Sequence, residues 1–136
     1  MLFVIDSNEY IFSFGLSSRH KSREFLEKLL DNASRHTIRV PRTIFKEVQR
    51  NLSPEAFNEF NVFIHALTFI DEDIVVPFEI VFQYESRHLK PADAFIAAYA
   101  QWTGADVLVT ENRHFLRLHQ DLPFRILTAE KALRLL

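Results

Sequence analysis

The chain has 136 residues, 48% of them apolar, so it is long enough to bury the core of a single domain spanning residues 1–136. The absence of Cys excludes disulfides, thiolate metal sites and cysteine nucleophiles, and it fits a reducing, cytoplasmic location. The formal net charge of −2 gives no whole-chain support for a nucleic-acid partner. We expect no secretory leader, because the apolar run after Met1 is short and has no basic leader. We also expect no membrane partner, because no apolar stretch approaches the ~20 residues that span a bilayer.

In the first half of the chain, short apolar runs alternate with segments of helical periodicity. Residues 2–5 are continuously apolar, which predicts a strand buried on both faces. Residues 22–31 carry apolar side chains at helical spacing, and residues 37–40 are typical of a short strand. A proline suits the first turn of the next predicted helix, over residues 41–51. A Ser-Pro-Glu sequence then predicts a helix over residues 53–67, because Ser is a favoured cap and Pro a favoured first residue.

The second half of the chain continues the alternation. Residues 67–70 are either a short strand or an extended connector. Pro77 begins a predicted helix that extends to about Arg87, and Pro91 begins the next, which Gly104 ends. The remaining predicted elements are strands over residues 105–109 and 124–127 and helices over residues 113–118 and 128–136.

This order of elements predicts the kind of sheet and the place of its site. Strands separated by helices form a parallel sheet that helices cover on both faces. Sites in such sheets lie at the carboxyl ends of the strands. Polar residues directly follow two predicted strands, as Asp6-Ser7-Asn8 and as Thr110-Glu111-Asn112. These two strand ends are therefore the first candidates for a functional site.

Three carboxylates are candidate site residues, and each also has a simpler interpretation. Asp6 follows a buried strand without a break, but it could be only the cap of the next helix. Glu47 lies in the middle of a predicted helix, where Arg50 could offer it an exposed ion pair. Asp93 lies in the first turn of a helix, where it could simply complement the helix dipole. The apolar residues after Asp93 indicate that this turn packs against the core, where an acid needs a partner.

A divalent cation is one such partner. Two or three carboxylates that meet at one point repel each other unless a cation neutralises them. Mg²⁺ and Mn²⁺ prefer oxygen ligands, and such an ion can polarise a phosphate and activate water for phosphodiester hydrolysis. The six His residues show no zinc-binding spacing, and only two Gly occur, so the chain has no glycine-rich phosphate loop.

Basic residues are unevenly placed despite the negative net charge. They could hold RNA phosphates, which the carboxylates alone would repel, or they could be ordinary solvated surface charges. They form four groups along the sequence: Arg19, His20, Lys21 and Arg23; Arg35, His36, Arg39, Arg42, Lys46 and Arg50; Arg87, His88 and Lys90; and Arg113, His114, Arg117 and His119.

Four blocks of the sequence, in this order, resemble the PIN-domain family. They are VIDSN at residues 4–8, VPRTIFKEV at 40–48, LKPADAFIAA at 89–98 and ADVLVTENRHF at 105–115. The chain looks most like the small single-domain type that serves as the toxin of VapBC-type toxin–antitoxin pairs. The resemblance covers nearly the whole chain. It implies a three-layer α/β/α sandwich around a parallel sheet, and Mg²⁺- or Mn²⁺-dependent cleavage of RNA.

The resemblance also assigns roles to individual residues. Asp6, Glu47 and Asp93 match the acids of the first three blocks and would be both catalytic residues and metal ligands. Many family members have an acid where the fourth block has Asn112, which remains a catalytic position but offers only an uncharged oxygen. Its neighbour Glu111 is expected to point elsewhere. The remaining assignments are supporting residues, Ser7, Thr110 and Glu111, and RNA-binding residues, Arg42, Lys46, Arg50, Lys90 and Arg113.

We therefore expect an endoribonuclease that acts as the toxin of a toxin–antitoxin pair, with an antitoxin segment covering its cleft. A homodimer is also expected, for which Phe57, Phe60 and Phe63 are a candidate surface unless these rings fill the core. The alternative, motivated by Asn112, is a weak or inactive PIN-like module that binds RNA or protein. A nuclease for DNA or flap structures is a third hypothesis, which the lack of an additional helical arch disfavours.

Overall fold

The computed structural model describes residues 1–15, 20–118 and 121–136. No helix in these ranges is both long enough and apolar enough to cross a lipid bilayer. The strands are β1 (Leu2–Ile5), β2 (Thr37–Pro41), β3 (Ile70–Asp71), β4 (Val107–Val109) and β5 (Arg125–Leu127). The helices are α1 (Ser7–Phe14), α2 (His20–Asp31), α3 (Arg42–Asn51), α4 (Pro54–Leu67), α5 (Phe78–Glu85), α6 (Pro91–Thr103), α7 (Arg113–Leu116) and α8 (Ala129–Ala132), with 3₁₀ turns at Asp73–Val75 and Leu133–Leu135.

The five strands form one parallel sheet in the order β3-β2-β1-β4-β5. Helix α1 packs against α2, α3 and α4, whereas α5 packs against α6, which also contacts β4. The predicted three-layer α/β/α sandwich with a central parallel sheet is confirmed. Strands β2 and β3 lie on one side of β1, and strands β4 and β5 lie on its other side. The strand order therefore reverses between β1 and β4. Ligands of open parallel sheets bind at such a reversal, outside the carboxyl ends of the strands.

The cap signals place most helix ends where the sequence predicts them. The Ser53 side chain accepts a hydrogen bond from the Ala56 N–H (3.2 Å) at the start of α4. Gly104 ends α6 in the left-handed conformation, with φ 72°, which a residue without Cβ adopts readily. Pro41 differs slightly from the prediction, because it closes β2 and caps α3 instead of forming the first turn.

Two stretches differ more clearly from the predictions. Helix α4 extends to Leu67, so the predicted strand or connector over residues 67–70 becomes a helix end, a connector and the start of β3. The C-terminal helix was expected to reach Leu136, but α8 ends at Ala132 and a 3₁₀ turn follows. Both differences lie near element boundaries, where the periodicity of side chains carries little information.

The aromatic rings of α4 belong to the core. Phe60 is fully buried, and Phe57 packs edge-on against Phe45 with ring centroids 5.4 Å apart. Phe63 contacts Phe14 at 5.5 Å in the same cluster. The candidate dimer surface on these α4 rings is therefore not available, and core filling, the alternative, is what the structure shows. Large exposed apolar side chains lie elsewhere, at Val62, Phe69, Ile74, Phe78 and Phe82.

The loop after β3 fixes the N-terminus of α3, the helix that carries Glu47. Pro41 offers no side-chain cap, and Asp73 replaces it by accepting hydrogen bonds from the Thr43 N–H (3.0 Å) and the Thr43 hydroxyl. Beside this cap, Arg42 donates to Glu72 at 2.7 Å. The short edge strand thus positions α3 against the carboxyl edge of the sheet.

Candidate metal-binding site at the carboxyl ends of β1 and β4

Asp6 lies immediately after β1 and has two structural partners. Its Oδ1 accepts a hydrogen bond from the Ser7 N–H (2.9 Å), which caps α1. Its Oδ2 accepts a hydrogen bond from the Thr110 hydroxyl (2.8 Å), which follows β4. Asp6 is therefore a helix cap, as the simpler interpretation held, and it also lies where the two strand ends meet. Its side chain is only 9% exposed.

The surroundings of Asp6 favour its neutral form. Burial raises the pKa of Asp6, and the negative charges of Glu47 and Asp93 raise it further, although the hydrogen bonds from Thr110 and Ser7 act in the opposite direction. The structure thus brings Glu47 and Asp93 within electrostatic range of Asp6. A bound cation would remove this repulsion and return Asp6 to its charged form.

Asp93 is held in place by Asn112. It lies in the first turn of α6, half-buried, and its Oδ1 faces the Asn112 side-chain amide at 3.5 Å. The Asn112 N–H donates to the Thr110 hydroxyl oxygen at 3.0 Å. A chain of hydrogen bonds therefore runs from Asp6 through Thr110 and Asn112 to Asp93. It joins the two carboxylates across the carboxyl edge of the sheet.

Asn112 is oriented as a donor toward the site. Its carbonyl oxygen accepts a hydrogen bond from the His114 N–H (2.9 Å) and caps α7. The amide group that remains faces Asp93, with which it interacts favourably. An acid at this position would instead bring a fourth negative charge to the site, beside Asp93. The substitution therefore removes a negative charge from the site and adds a positioning contact.

Glu47 approaches the same edge from α3. Glu47 is half-buried. Within residues 1–15, 20–118 and 121–136, it forms no ion pair with Arg50. Its charge acts on Asp6. The simpler interpretation of Glu47 as one half of an exposed ion pair therefore finds no support in the described structure.

These carboxylates suit a hard divalent cation by their chemistry. No set of three or more Asp, Glu or His side chains in the described ranges is already arranged to hold an ion. Mg²⁺ often takes only one or two carboxylates and completes its shell with water and substrate oxygens. The buried carboxylate of Asp6, with Glu47 and Asp93 repelling it, fits such a partly hydrated ion.

Glu111 points away from this cluster, and a buried acid that the sequence analysis did not identify, Glu9, lies beside it. The Glu111 carboxylate accepts a hydrogen bond from the Ala129 N–H (3.0 Å) at the start of α8. Glu9, in α1, is fully buried next to Glu111 and Ser22, and neither of its carboxyl oxygens has a hydrogen-bond partner in the described structure. Its spacing after Asp6, one turn of helix, is the only signal in the sequence that could have indicated it.

The five predicted RNA-binding residues occupy different surroundings. Arg42 is engaged by Glu72 and stacks over the Phe45 ring at 5.6 Å. The other four are exposed: Lys46 and Arg50 on α3, Lys90 at the cap of α6, and Arg113 in the first turn of α7. Lys90 and Arg113 therefore adjoin the elements that carry Asp93 and Asn112. Of the basic groups, Arg19 and His119 lie outside the described residues, as does the His20 side chain.

Comparisons with known proteins agree with this architecture. The family model described as PIN domain matches residues 3–120. Among solved structures, the chain is similar to VapBC2 from Rickettsia felis bound to a DNA fragment from their promoter, with 20% identity, a TM-score of 0.66, and coverage of 93% of this chain and 97% of that chain. It is also similar to FitAcB from Neisseria gonorrhoeae, with 13% identity, a TM-score of 0.62 and the same coverages. A search of curated protein sequences finds no match.

Proposed function

Because the chain belongs to the PIN domain family, we propose that it is a metal-dependent endoribonuclease and the toxin of a toxin–antitoxin pair. PIN domains are typically nucleases, which use divalent metal ions. The observation that carries the proposal is the hydrogen-bonded chain that joins Asp6 to Asp93 at the point where the strand order reverses. We place the whole site in one domain, residues 1–136, of a cytoplasmic protein.

In this proposal, Asp6, Glu47 and Asp93 hold Mg²⁺ or Mn²⁺. The ion, when bound, polarises the scissile phosphate and lowers the pKa of a water nucleophile. Thr110 orients Asp6 by donating to one of its oxygens, and Asn112 orients Asp93. The two short hydrogen bonds to Asp6 restrict its rotamer, which reduces the entropy lost on binding substrate and metal, whereas the 3.5 Å contact restrains Asp93 less.

Basic residues around the carboxylates would hold the RNA strand. Lys90 and Arg113 adjoin the elements of Asp93 and Asn112, whereas Lys46 and Arg50 extend along α3 beside Glu47. Arg42 is partly neutralised by Glu72, so we assign it a smaller share of phosphate binding. These contacts would counter the repulsion between RNA phosphates and the three acids.

Two protein partners complete the proposal. The similar VapBC2 structure contains a DNA fragment from their promoter. We propose that this chain pairs with an antitoxin. One segment of the antitoxin would cover the acidic cleft with a basic side chain. We also propose a homodimer. The dimer surface assigned here is the exposed apolar face formed by Ile74, Val75, Phe78 and Phe82.

Substitution of the two linked acids tests the nuclease proposal. Purified protein with Mn²⁺ is expected to cleave single-stranded RNA, and Asp6→Asn and Asp93→Asn each lower the rate by at least ~100-fold, because each removes a metal ligand. Asp31→Asn, at an exposed position that ends α2, is the matched control and retains full activity. A panel of single-stranded RNA, double-stranded RNA, single-stranded DNA and flap DNA identifies the substrate class. Equal cleavage by the Asp93→Asn variant would contradict the assigned site.

A non-catalytic module that binds RNA or protein is the second candidate. Asn112 favours it, because its carbonyl oxygen caps α7 and its amide faces Asp93, which leaves the site one carboxylate short of the common family pattern. This candidate replaces the first if the purified protein cleaves no member of the substrate panel and calorimetry detects no binding of Mn²⁺.

A further inference from the structure

We propose that a basic cavity at the corner between α5 and α6 binds a backbone phosphate of the substrate strand, one that neighbours the scissile phosphate. The inference rests on the proposed function, because it takes the substrate to be a nucleic-acid strand. It concerns a different set of side chains from the acidic site. It would explain how a protein of net charge −2 holds a polyanion next to three carboxylates.

The cavity has a volume of about 240 Å³ and is strongly basic. Two groups of basic residues that lie more than twenty positions apart in the sequence meet there. Among the described residues, Asp93 is the one acid on its wall, and it is also a proposed metal ligand, so the cavity adjoins the acidic site. Its lining consists of Arg87, His88, Leu89, Lys90, Asp93, His114, Arg117 and Leu118.

Arg87 presents a fixed guanidinium with an unused donor. Its guanidinium stacks on the Tyr84 ring at 5.0 Å, and the Tyr84 hydroxyl donates to Gln101 at 2.7 Å. The Nη1 atom of Arg87 is buried and has no hydrogen-bond partner in the part of the chain that the structure describes. The Nη1 atom faces the interior, and the proposal rests on the position of the stacked guanidinium in the cavity wall, because guanidinium groups match phosphate oxygens well.

The backbone at His88 is strained in a way that places basic side chains on the cavity wall. His88 has φ 68°, and within the described ranges it is the one residue other than glycine with a positive φ. Such a conformation is unfavourable for a residue with a Cβ, and strained residues of this kind concentrate at functional sites. It turns the chain from α5 into α6, so that His88 lies between Arg87 and Lys90.

The N-terminus of α6 adds to the attraction for an anion. Lys90 occupies the cap position of this 13-residue helix and makes no side-chain cap hydrogen bond, and Pro91 has no N–H. The helix N-terminus at the cavity therefore has no side-chain cap, and the Asp93 carboxylate in the first turn offsets only part of its partial positive charge. Together with the Arg87, Lys90 and Arg117 side chains in the cavity lining, it makes the corner a fit for one phosphate group.

Binding without metal tests this site independently of cleavage. The affinity of a fluorescein-labelled 12-nucleotide single-stranded RNA is measured by anisotropy in EDTA, over a series of salt concentrations. We expect Arg117→Gln to raise Kd about 5-fold at low salt and to reduce the slope of log Kd against log salt by roughly 0.7–1, the value for one phosphate contact. The same loss is expected with single-stranded DNA, because a phosphate contact does not read the sugar.

Matched variants separate this outcome from general charge loss and from misfolding. Arg125→Gln removes the same charge at the amino end of β5, the opposite edge of the sheet, and leaves Kd within 2-fold of the unsubstituted protein. Arg87→Lys keeps the charge at the cavity but loses the planar donor, and it raises Kd with an unchanged salt slope. Circular dichroism of each variant confirms folding.

The outcomes distinguish this inference from the nuclease proposal. Unchanged Kd and salt slope in Arg117→Gln and Arg87→Lys would overturn the phosphate site even if the protein cleaves RNA. Conversely, the predicted losses in a protein that cleaves nothing with Mn²⁺ would support the phosphate site and contradict the nuclease. If Arg125→Gln raises Kd as much as Arg117→Gln does, the effect reflects only the loss of positive charge, and the phosphate site is overturned.

Discussion

At the scale of single residues, the candidate site depends on hydrogen bonds between positions far apart in the sequence. The acids themselves could be predicted, because Asp6 follows a buried strand and Asp93 begins an apolar helix. Their partners could not, because the hydrogen bond from Thr110 to Asp6 depends on which strand lies next to β1. The role of Asn112 was equally hidden, since the direction of an amide is set by the surrounding donors and acceptors.

The ionisation of Glu9 is strongly perturbed by folding. It is fully buried in α1, and no described residue donates a hydrogen bond to its carboxyl oxygens. Burial raises the pKa of Glu9 to about 9, and the neighbouring charge of Glu111 acts in the same direction. Glu9 is therefore neutral in the folded protein at neutral pH, whereas in the unfolded chain it is charged above about 4.5.

The pH dependence of stability follows from this difference. Because the folded protein retains a proton that the unfolded chain releases, stability falls as the pH rises from about 4.5 to about 9. Glu9→Gln removes the ionisable group but keeps the shape of the neutral acid. We expect this variant to gain about 5 kcal/mol in free energy of unfolding at pH 8 and almost nothing at pH 4. Urea denaturation at both pH values measures the effect.

A matched control uses an exposed acid. Glu59 lies on α4 with its side chain exposed, so Glu59→Gln should leave the pH dependence unchanged. If the difference in free energy of unfolding between Glu9→Gln and the unsubstituted protein is the same at both pH values, Glu9 is ionised in the folded state.

At the scale of elements, helix ends were predictable where a residue with a backbone preference marks them. Ser53 and Gly104 are such residues. Ser53 marks the start of α4, and Gly104 marks the end of α6. The edge strand β3 was not predictable in the same way, because two residues give no periodicity and its pairing with β2 is not local. The end of α8 was missed for a related reason, since no glycine or proline marks it.

Gly104 offers a direct test of backbone preference at a helix end. A Cβ at Gly104 would meet no atom within 4 Å, so substitution there changes conformational strain without creating a clash. We expect Gly104→Ala to lower the free energy of unfolding by about 1 kcal/mol, the cost of a left-handed backbone for an L-residue. Gly104→Asn should cost less, because Asn adopts this conformation more readily.

Urea denaturation of the two Gly104 variants gives the comparison. If Gly104→Ala and Gly104→Asn lose the same free energy of unfolding, the backbone explanation is contradicted, and the loss comes from the added side chain itself. An increase in stability with Ala would show that residue 104 is not left-handed in solution.

At the scale of the whole molecule, one exposed face is unusually apolar for a surface. Phe78 and Phe82 on α5 are 71% and 59% exposed and stack on one another with ring centroids 6.3 Å apart, and Ile74 before them is 91% exposed. Contiguous apolar surfaces of this kind in folded proteins usually contact another molecule. This face, and not the rings of α4, is therefore the surface for the proposed homodimer.

The oligomeric state tests this surface. We expect the unsubstituted protein to be a dimer by size-exclusion chromatography with light scattering. The double variant Phe78→Ser/Phe82→Ser should be a monomer with nearly unchanged helix content. Val62→Ser, which removes an equally exposed apolar side chain from α4, should remain a dimer. A double variant that stays dimeric would place the interface elsewhere, and a monomeric unsubstituted protein would exclude the dimer.

The order of the strands in the sheet has a consequence for protein synthesis. The hydrogen bond between Asp6 and Thr110 joins residues 104 positions apart, and Asp93 is linked to the same point through Asn112. A nascent chain therefore carries Asp6 long before Thr110, which orients it, has been made. Any chemistry that needs Asp6 and Asp93 together begins only after residue 112 has left the ribosome and β4 has docked beside β1. Fragments released earlier in translation would therefore lack the assembled site on which the proposed nuclease activity depends.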